Sequence, residues 1–548
     1  MNWIQQVNPF NNIALSALIA IFPILFIFWA LIIKKMKGYK ASLLAVLIVF
    51  LFAVLIYKMP VKLALLSGFH GALYGIFPIC WIVIAALFLF NIIVKSGQFE
   101  VIKSSMASIT DDRRLQALLI AFSFGSFLEG TAGFGAPVAI TAAMLVSLGF
   151  DAFYAACICL IANTAPVAFG AIGIPISVAS QVSGIPEMAI SQMVGRTLPI
   201  LSIMLPFYLI LLMTGFKKSI EVLPAILVTG ISFAFFQWFC SNYIGPSLPD
   251  IIAGIGSIIC LTILLKFWKP KNKWNFSNDV NLVKDIKFPA SKIFKAWLPF
   301  LILSLLIIVW GLKPVKNFFE TVTYSFAIPG LNNLITDSDG NLISHIYKFN
   351  FLSSPGTAIF ISAIIAIPIS GLKFISAMKL FISTIWQLKF PIITVASILG
   401  FAYLANDSGI TLTVANALSE TGFLYPFFAP ILGWLGVFIT GSDTSSNALF
   451  GKLQFTTATS IGVNPLVTVA ANSSGGVMGK MISPQSIAVG TASVGLIGKE
   501  GKLFRFTLKH SLIMLLIICL ITVAQAYYIK WIIPDYAIQN KTKVSISK

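Results

Sequence analysis

Apolar residues run through this chain in long, nearly uninterrupted stretches, without the strict alternation or one-sided stripe of a water-soluble fold. A helix needs about 20 such residues to cross the hydrocarbon of a bilayer. Stretches that approach this length are residues 12–33, 41–57, 77–94, 115–128, 152–169, 197–216, 220–239, 248–267, 296–312, 354–372, 390–405, 423–440 and 508–533. Shorter apolar pieces lie between them at 133–148, 171–182, 446–461 and 477–497, too brief or too rich in Gly, Ser, Thr and Pro to span as plain helices. They predict hairpins that enter and leave on one side. The pattern predicts an all-α polytopic membrane protein of about 12 to 14 membrane segments with re-entrant or broken helices. The first stretch is not read as a cleaved signal peptide, because no basic region precedes it and its apolar part is too long.

Composition agrees: 58% of the 548 residues are hydrophobic and 10% charged, against about 25% charged in soluble domains. A cytosolic enzyme, a disordered chain and a nucleic-acid binder are excluded. Lys and Arg number 37 against 18 Asp and Glu, a net charge of +19. This excess falls between apolar stretches, where it orients the chain, since cytoplasmic loops collect positive charge. Residues 266–295 hold eight lysines against Asp279 and Asp285, so this loop reads as cytoplasmic. Residues 313–350 balance three lysines with Glu320, Asp337 and Asp339 and read as external. Lys34, Lys35, Lys37 and Lys40, the Lys217–Lys218 pair and the basic stretch 499–509 fit the inside, which puts both termini outside; the tail lysines Lys541, Lys543 and Lys548 argue against this. The six cysteines sit in apolar segments with no CxxC pair and read as packing residues, not as a disulfide frame or metal site.

Sliding the chain along itself by roughly 310 residues superposes an ordered set of identical or similar residues. Phe77-Pro78-Ile79 falls on Phe390-Pro391-Ile392 and Ser96-Gly97 on Ser408-Gly409. Gly125, Phe127, Gly130 and Thr131 fall on Gly436, Phe438, Gly441 and Ser442; Ala162-Asn163-Thr164, Gly170 and Pro175 fall on Ala471-Asn472-Ser473, Gly479 and Pro484. The loop after the first helix of copy one carries Lys95, Lys103, Arg113 and Arg114, whereas its counterpart at 406–422 has no Lys or Arg. Opposite charge bias means opposite orientation. Inverted-topology repeats place a substrate at the membrane midplane on broken helices. The expected organisation is N-terminal scaffold helices (1–60), a first repeat (61–195), connecting helices (196–312) with the basic loop 266–295, an external loop (313–353), a second, inverted repeat (354–498), and a last helix and tail (499–548).

Charge at membrane depth is costly and by default marks a pathway or a paired site. Between Leu115 and Gly195 there is no Lys or Arg, and Glu129, Asp151 and Glu187 are the acids; from Phe390 to Gly498 the charges are Asp407, Glu420, Asp443, Lys452 and Lys480. Asp151, Glu187 and Glu420 read as interfacial. Glu129 sits in SFLEGTAGFGAPVAI (126–140), just before three glycines, and Asp443 in TGSDTSSNALFG (440–451), the same place in the second copy. A carboxyl buried without a fixed counter-charge is hard to ionise, which suits a group that loads and releases a proton. Glu129, Asp443, Asp407 and His70 are therefore candidates for proton coupling; each also admits the plainer reading of a structural, hydrogen-bonded group. Both copies then carry an Asn-hydroxyl pair followed by glycines and a proline, in NTAPVAFGAIGIPI (163–176) and AANSSGGVMGKMISPQSIAVG (470–490). Read as turns, these expose backbone N–H groups able to hold a carboxylate or hydroxyl. Thr131, Asn163, Thr164, Ser442, Asn472, Ser473 and Lys480 are the candidate substrate ligands, with Lys480 as counter-ion. Lys452 admits that role or snorkelling to the interface. GFGAP at Gly133 lacks the Lys-Ser/Thr of a phosphate loop, and nothing indicates a metal, a cofactor or an enzyme's catalytic residues.

These four long polar motifs closely resemble those of the lactate permease family, which includes glycolate permeases, and the likeness extends from the first span through GKEGKLFRFTLKHSL (498–512). The resemblance implies uptake of L-lactate, with D-lactate and glycolate, by proton symport across the bacterial inner membrane. The partners it implies are a small 2-hydroxy monocarboxylate, protons and membrane lipids, without nucleic acid; an oligomer is compatible. The residues themselves leave a sodium-coupled organic anion carrier and a passive channel as alternatives.

Overall fold

A computed structural model describes residues 3–133, 135–276, 288–338 and 340–536. Asp279, Lys284, Asp285 and Lys287 of the basic loop, Asp339 and the tail lysines Lys541, Lys543 and Lys548 lie outside the described residues. The protein is an all-α polytopic membrane protein. Ten helices among the described residues are long and apolar enough to cross a bilayer, and an eleventh is the pair Ala152–Ala162 and Val167–Ser183, bent by 64° at its break. Shorter apolar helices, Ala136–Ser147, Pro355–Ser370 and Ile410–Ser419, complete the set.

Local sequence explains the segmentation. Asp151 caps Ala152–Ala162 by accepting from the N–H groups of Phe153 and Tyr154 at 3.0 and 3.1 Å, so this acid does lie at an exposed helix start. Asn464 and Ser483 cap Pro465–Lys480 and Pro484–Ser493, each with proline in the first turn, where its missing N–H costs nothing. The helical stretch 113–131 ends at Ala132, and left-handed Gly133 and Gly135 turn the chain back into Ala136–Ser147. In the second half, Tyr425–Thr440 ends on left-handed Gly441 and returns as Asp443–Ser460. The element order thus recurs: Trp81–Lys95 then Gln98–Ala107 across left-handed Gly97, and Lys389–Asp407 then Ile410–Ser419 across left-handed Gly409, each followed by a hairpin, a broken helix and a 28-residue helix, Glu187–Thr214 or Glu500–Tyr527.

Each hairpin packs on the broken helix of the other half. Asn447, on Asp443–Ser460, donates to the Pro175 carbonyl at 3.0 Å, and Gly451 on the same helix faces Val182. Gly135, at the first hairpin tip, faces Val489 of Pro484–Ser493.

The segment 313–353, expected as an external loop, carries short β-strands. Tyr324–Ala327 pairs antiparallel with Ile346–Phe349, and Ile335–Thr336 pairs in parallel with N-terminal Trp3–Ile4. The N-terminus therefore lies on the same face as this segment.

Candidate functional site

Glu129 lies near the end of Gly125–Thr131, buried just before the first hairpin tip. Its Oε1 faces Gly170, where a Cβ would come within 2.8 Å. Glycine is needed there for the second half of the broken helix to approach the acid. Gly170–Ser183 opens with Ala171, Ile172 and Gly173 in the left-handed region, at φ of 45°, 61° and 76°. For alanine and a β-branched residue this stores about 1–3 kcal/mol each, directly beside Glu129. Asn163, the C-cap of Ala152–Ala162, is the neighbouring amide. Its side chain and Glu129 Oε2 are buried beside each other, with no further hydrogen-bond partner in the protein.

Asp443 starts the return helix of the second hairpin. Ser473 donates to its Oδ2 at 2.5 Å and Asn447 at 3.4 Å, while Oδ1 has no partner. Lys480 ends Pro465–Lys480, and its Nζ donates to the Gly441 carbonyl at the hairpin tip at 2.6 Å. Its charge acts on both Glu129 and Asp443. Lys480 is thereby anchored two residues from Asp443, at the tip of the second hairpin.

Several sequence expectations need correction. Asn472 and Ser473 do not form a turn: they lie within the continuous helix Pro465–Lys480, and the break follows at residues 481–483. Asn472 is also saturated, accepting from Gln454 at 3.1 Å and donating to Asn447 Oδ1 at 2.9 Å, with Tyr425 donating to Gln454 behind them. It holds the second half together, whereas Asn163 is open. Ser442 caps its helix by accepting from the Ser445 N–H at 3.3 Å. The hydroxyls of Thr131 and Thr164 donate to carbonyls one turn back, Phe127 at 3.1 Å and Ile161 at 2.7 Å. His70 and Asp407 are not at this site: each meets His345 in a second cluster at the 313–353 segment.

Sequence reasoning missed Asp250. It is buried in the first turn of Pro249–Phe267 with neither oxygen partnered in the protein. Gly130 packs on it, with a Cβ there reaching 2.8 Å from Asp250 Cβ, and the charge of Glu129 acts on it. The signal was available, since Asp250 is the only charge between Glu221 and Lys266.

A cavity of about 340 Å³ between Thr164, Leu201, Tyr208, Met478 and Ile517 is almost wholly apolar, with exposed Met204 in its lining. It lacks the donors an anion requires and is not the polar site.

A family model described as L-lactate permease matches residues 16–529. The chain belongs to the L-lactate permease family. The L-lactate permease of Bacillus subtilis is 52% identical across 97% of this chain and 100% of its own length. Glycolate permease GlcA of Escherichia coli is 48% identical over 96% of this chain and 98% of its own, and the L-lactate permease of Escherichia coli 50% over 97% and 100%. As a member of a permease family with these helices, the chain is a multi-pass plasma-membrane transporter of a small molecule, not an enzyme. Glu129, Asp443 and Lys480 lie within the span that the family model matches.

Proposed function

We propose that this permease imports L-lactate, with D-lactate and glycolate as further substrates, by proton symport. The observation that carries the reading is the position of Lys480, a buried cation held at the tip of the second hairpin by the Gly441 carbonyl, two residues from Asp443. An ammonium has three donors. One is engaged by the Gly441 carbonyl, leaving two for a monocarboxylate. Asn163, whose side chain has no partner beyond Glu129, suits the 2-hydroxyl, and the backbone at the broken helices supplies further N–H groups.

Glu129 carries the proton in this scheme. Lactate brings one negative charge and the proton cancels it, so the loaded site crosses without net charge, avoiding the cost of moving an ion through low dielectric. Asp443, held by Ser473 and Asn447, is the second candidate carrier. Residues 61–195 and 354–498 act as inverted repeats that meet at the midplane and move against a scaffold of the other helices. The recurring element order and the opposite charge of the two matched loops support this division.

Purified protein in liposomes with imposed gradients and a panel of 2-hydroxy acids tests the reading. Glu129→Gln is expected to abolish proton-driven uptake while leaving lactate exchange measurable. A variant that accumulates lactate like the wild type refutes the assignment to Glu129. Uptake driven by a sodium gradient at constant pH replaces proton with sodium coupling, and no accumulation above the external level leaves a passive channel.

A further inference from the structure

The second titratable cluster lies where the 313–353 segment enters the bundle. His345 Nε2 is 3.0 Å from Asp407 Oδ2, and Ser67 donates to the same oxygen at 2.5 Å. Gln5 donates to the carbonyls of Asn406 and Asp407 at 3.0 and 2.9 Å, fixing the helix end that presents the acid. The His70 ring stands 5.7 Å from that of His345, centroid to centroid. Both ring nitrogens of His70, and Nδ1 of His345, are buried without a hydrogen-bond partner in the protein. Around them stand Tyr74, Tyr347 and Tyr403. Lys452, on Asp443–Ser460, is the cation whose charge couples to Asp407, and Asp337 of the outer segment acts on Lys452 in turn.

A ring held only for packing has no need of two nitrogens, each of which costs about 1–3 kcal/mol when buried unpaired. An imidazole fixed through one nitrogen by a carboxylate presents the other as a proton acceptor. The cluster also touches the transport core. Gln181, on Gly170–Ser183, donates to the Tyr403 hydroxyl at 2.7 Å, and the first residue of that helix, Gly170, faces Glu129. Gln181 lies eleven positions beyond Gly170, past the left-handed residues Ala171 to Gly173, so the two sites are linked through one element without being one.

We propose that His345, His70 and Asp407 form an outer proton-loading site that takes protons from the extracytoplasmic side before they reach the midplane acids. This rests on the proton-symport reading. An external proton adds to Nδ1 of His345, whose Nε2–H stays on the Asp407 carboxylate, which balances the imidazolium charge. The proton then leaves Nδ1 for a bare ring nitrogen of His70, directly or through a water, and His345 returns to neutral.

The test uses the full chain in liposomes at fixed internal pH, with external pH varied over a broad range. His345→Gln and His70→Gln are expected to slow proton-driven lactate uptake about tenfold or more and to flatten its dependence on external pH, with equal-pH lactate exchange unchanged. His345→Asn and Asp407→Asn provide the same readout should a glutamine variant fail to fold. A wild-type pH profile in the variants overturns the proposal alone. Exchange lost in parallel with uptake also overturns it, since that marks a structural role. A wild type indifferent to the proton gradient overturns the symport reading and this proposal with it.

Discussion

Arg114 offers the most quantitative test of the architecture. Fully buried at the start of the helical stretch 113–131, it uses all five of its N–H donors. Nε and one terminal nitrogen donate to the two oxygens of Asp112 at 3.1 and 2.8 Å; the other donors reach Glu221 at 2.8 Å and the carbonyls of Lys218 and Asn272 at 2.9 and 2.8 Å. Three connecting segments distant in sequence are thereby pinned to one side chain. Arg114→Ala leaves the buried Asp112 carboxylate without its counter-charge, and breaking a buried pair this way costs about 3–5 kcal/mol. Arg114→Lys keeps the charge but supplies at most three donors, so it falls between wild type and alanine. Glu221 is 43% exposed, and Glu221→Gln is expected to cost less than about 1 kcal/mol after solvent screening. The assay is denaturant unfolding in mixed micelles, with an Arg114→Ala/Asp112→Ala cycle to isolate the pair. If Arg114→Ala unfolds within about 1 kcal/mol of wild type, or Glu221→Gln costs as much as it does, the network does not bear the strain assigned to it.

Other substitutions separate packing from function. A Cβ on Gly433 would stand 1.9 Å from the Asn472 carbonyl oxygen, so Gly433→Ala is expected to destabilise by about 1–3 kcal/mol or more, whereas Gly501→Ala, with open space around it, should be neutral in the same unfolding assay. Asn472→Ala should destabilise by about 1–3 kcal/mol through its stranded partners, while Asn163→Ala should unfold like wild type and lose lactate transport; the opposite ranking would reverse the roles given to the two amides. Lys480→Met should raise the lactate KM at least about tenfold, the loss of roughly one to two charge-assisted hydrogen bonds, and unchanged uptake kinetics would remove the lysine from the substrate site.

The apolar stretches located the spans because hydrocarbon thickness fixes their length, and glycines next to acids located both hairpin tips. The same glycine signal misled at Asn472. Gly475 and Gly476 read as a break, yet they lie within Pro465–Lys480 and allow it to cross Tyr425–Thr440 closely, with a Cβ on Gly475 only 2.1 Å from the Pro430 carbonyl oxygen. One residue type serves both purposes, and only the third dimension separates them. His345 was illegible because its segment carries no motif and its value comes from Asp407, 62 residues away. Asp250 resembled an ordinary first-turn acid; the helix crossing at Gly130 is what buries it.

The interleaving of hairpins and broken helices has a mechanical consequence. Because Asn447 and Gly451 of the second hairpin ride on the first broken helix, and the tip of the first hairpin rides on the second, neither half can be displaced as an isolated body. In the proposed transport cycle a tilt of either half would therefore be transmitted to the other through these contacts.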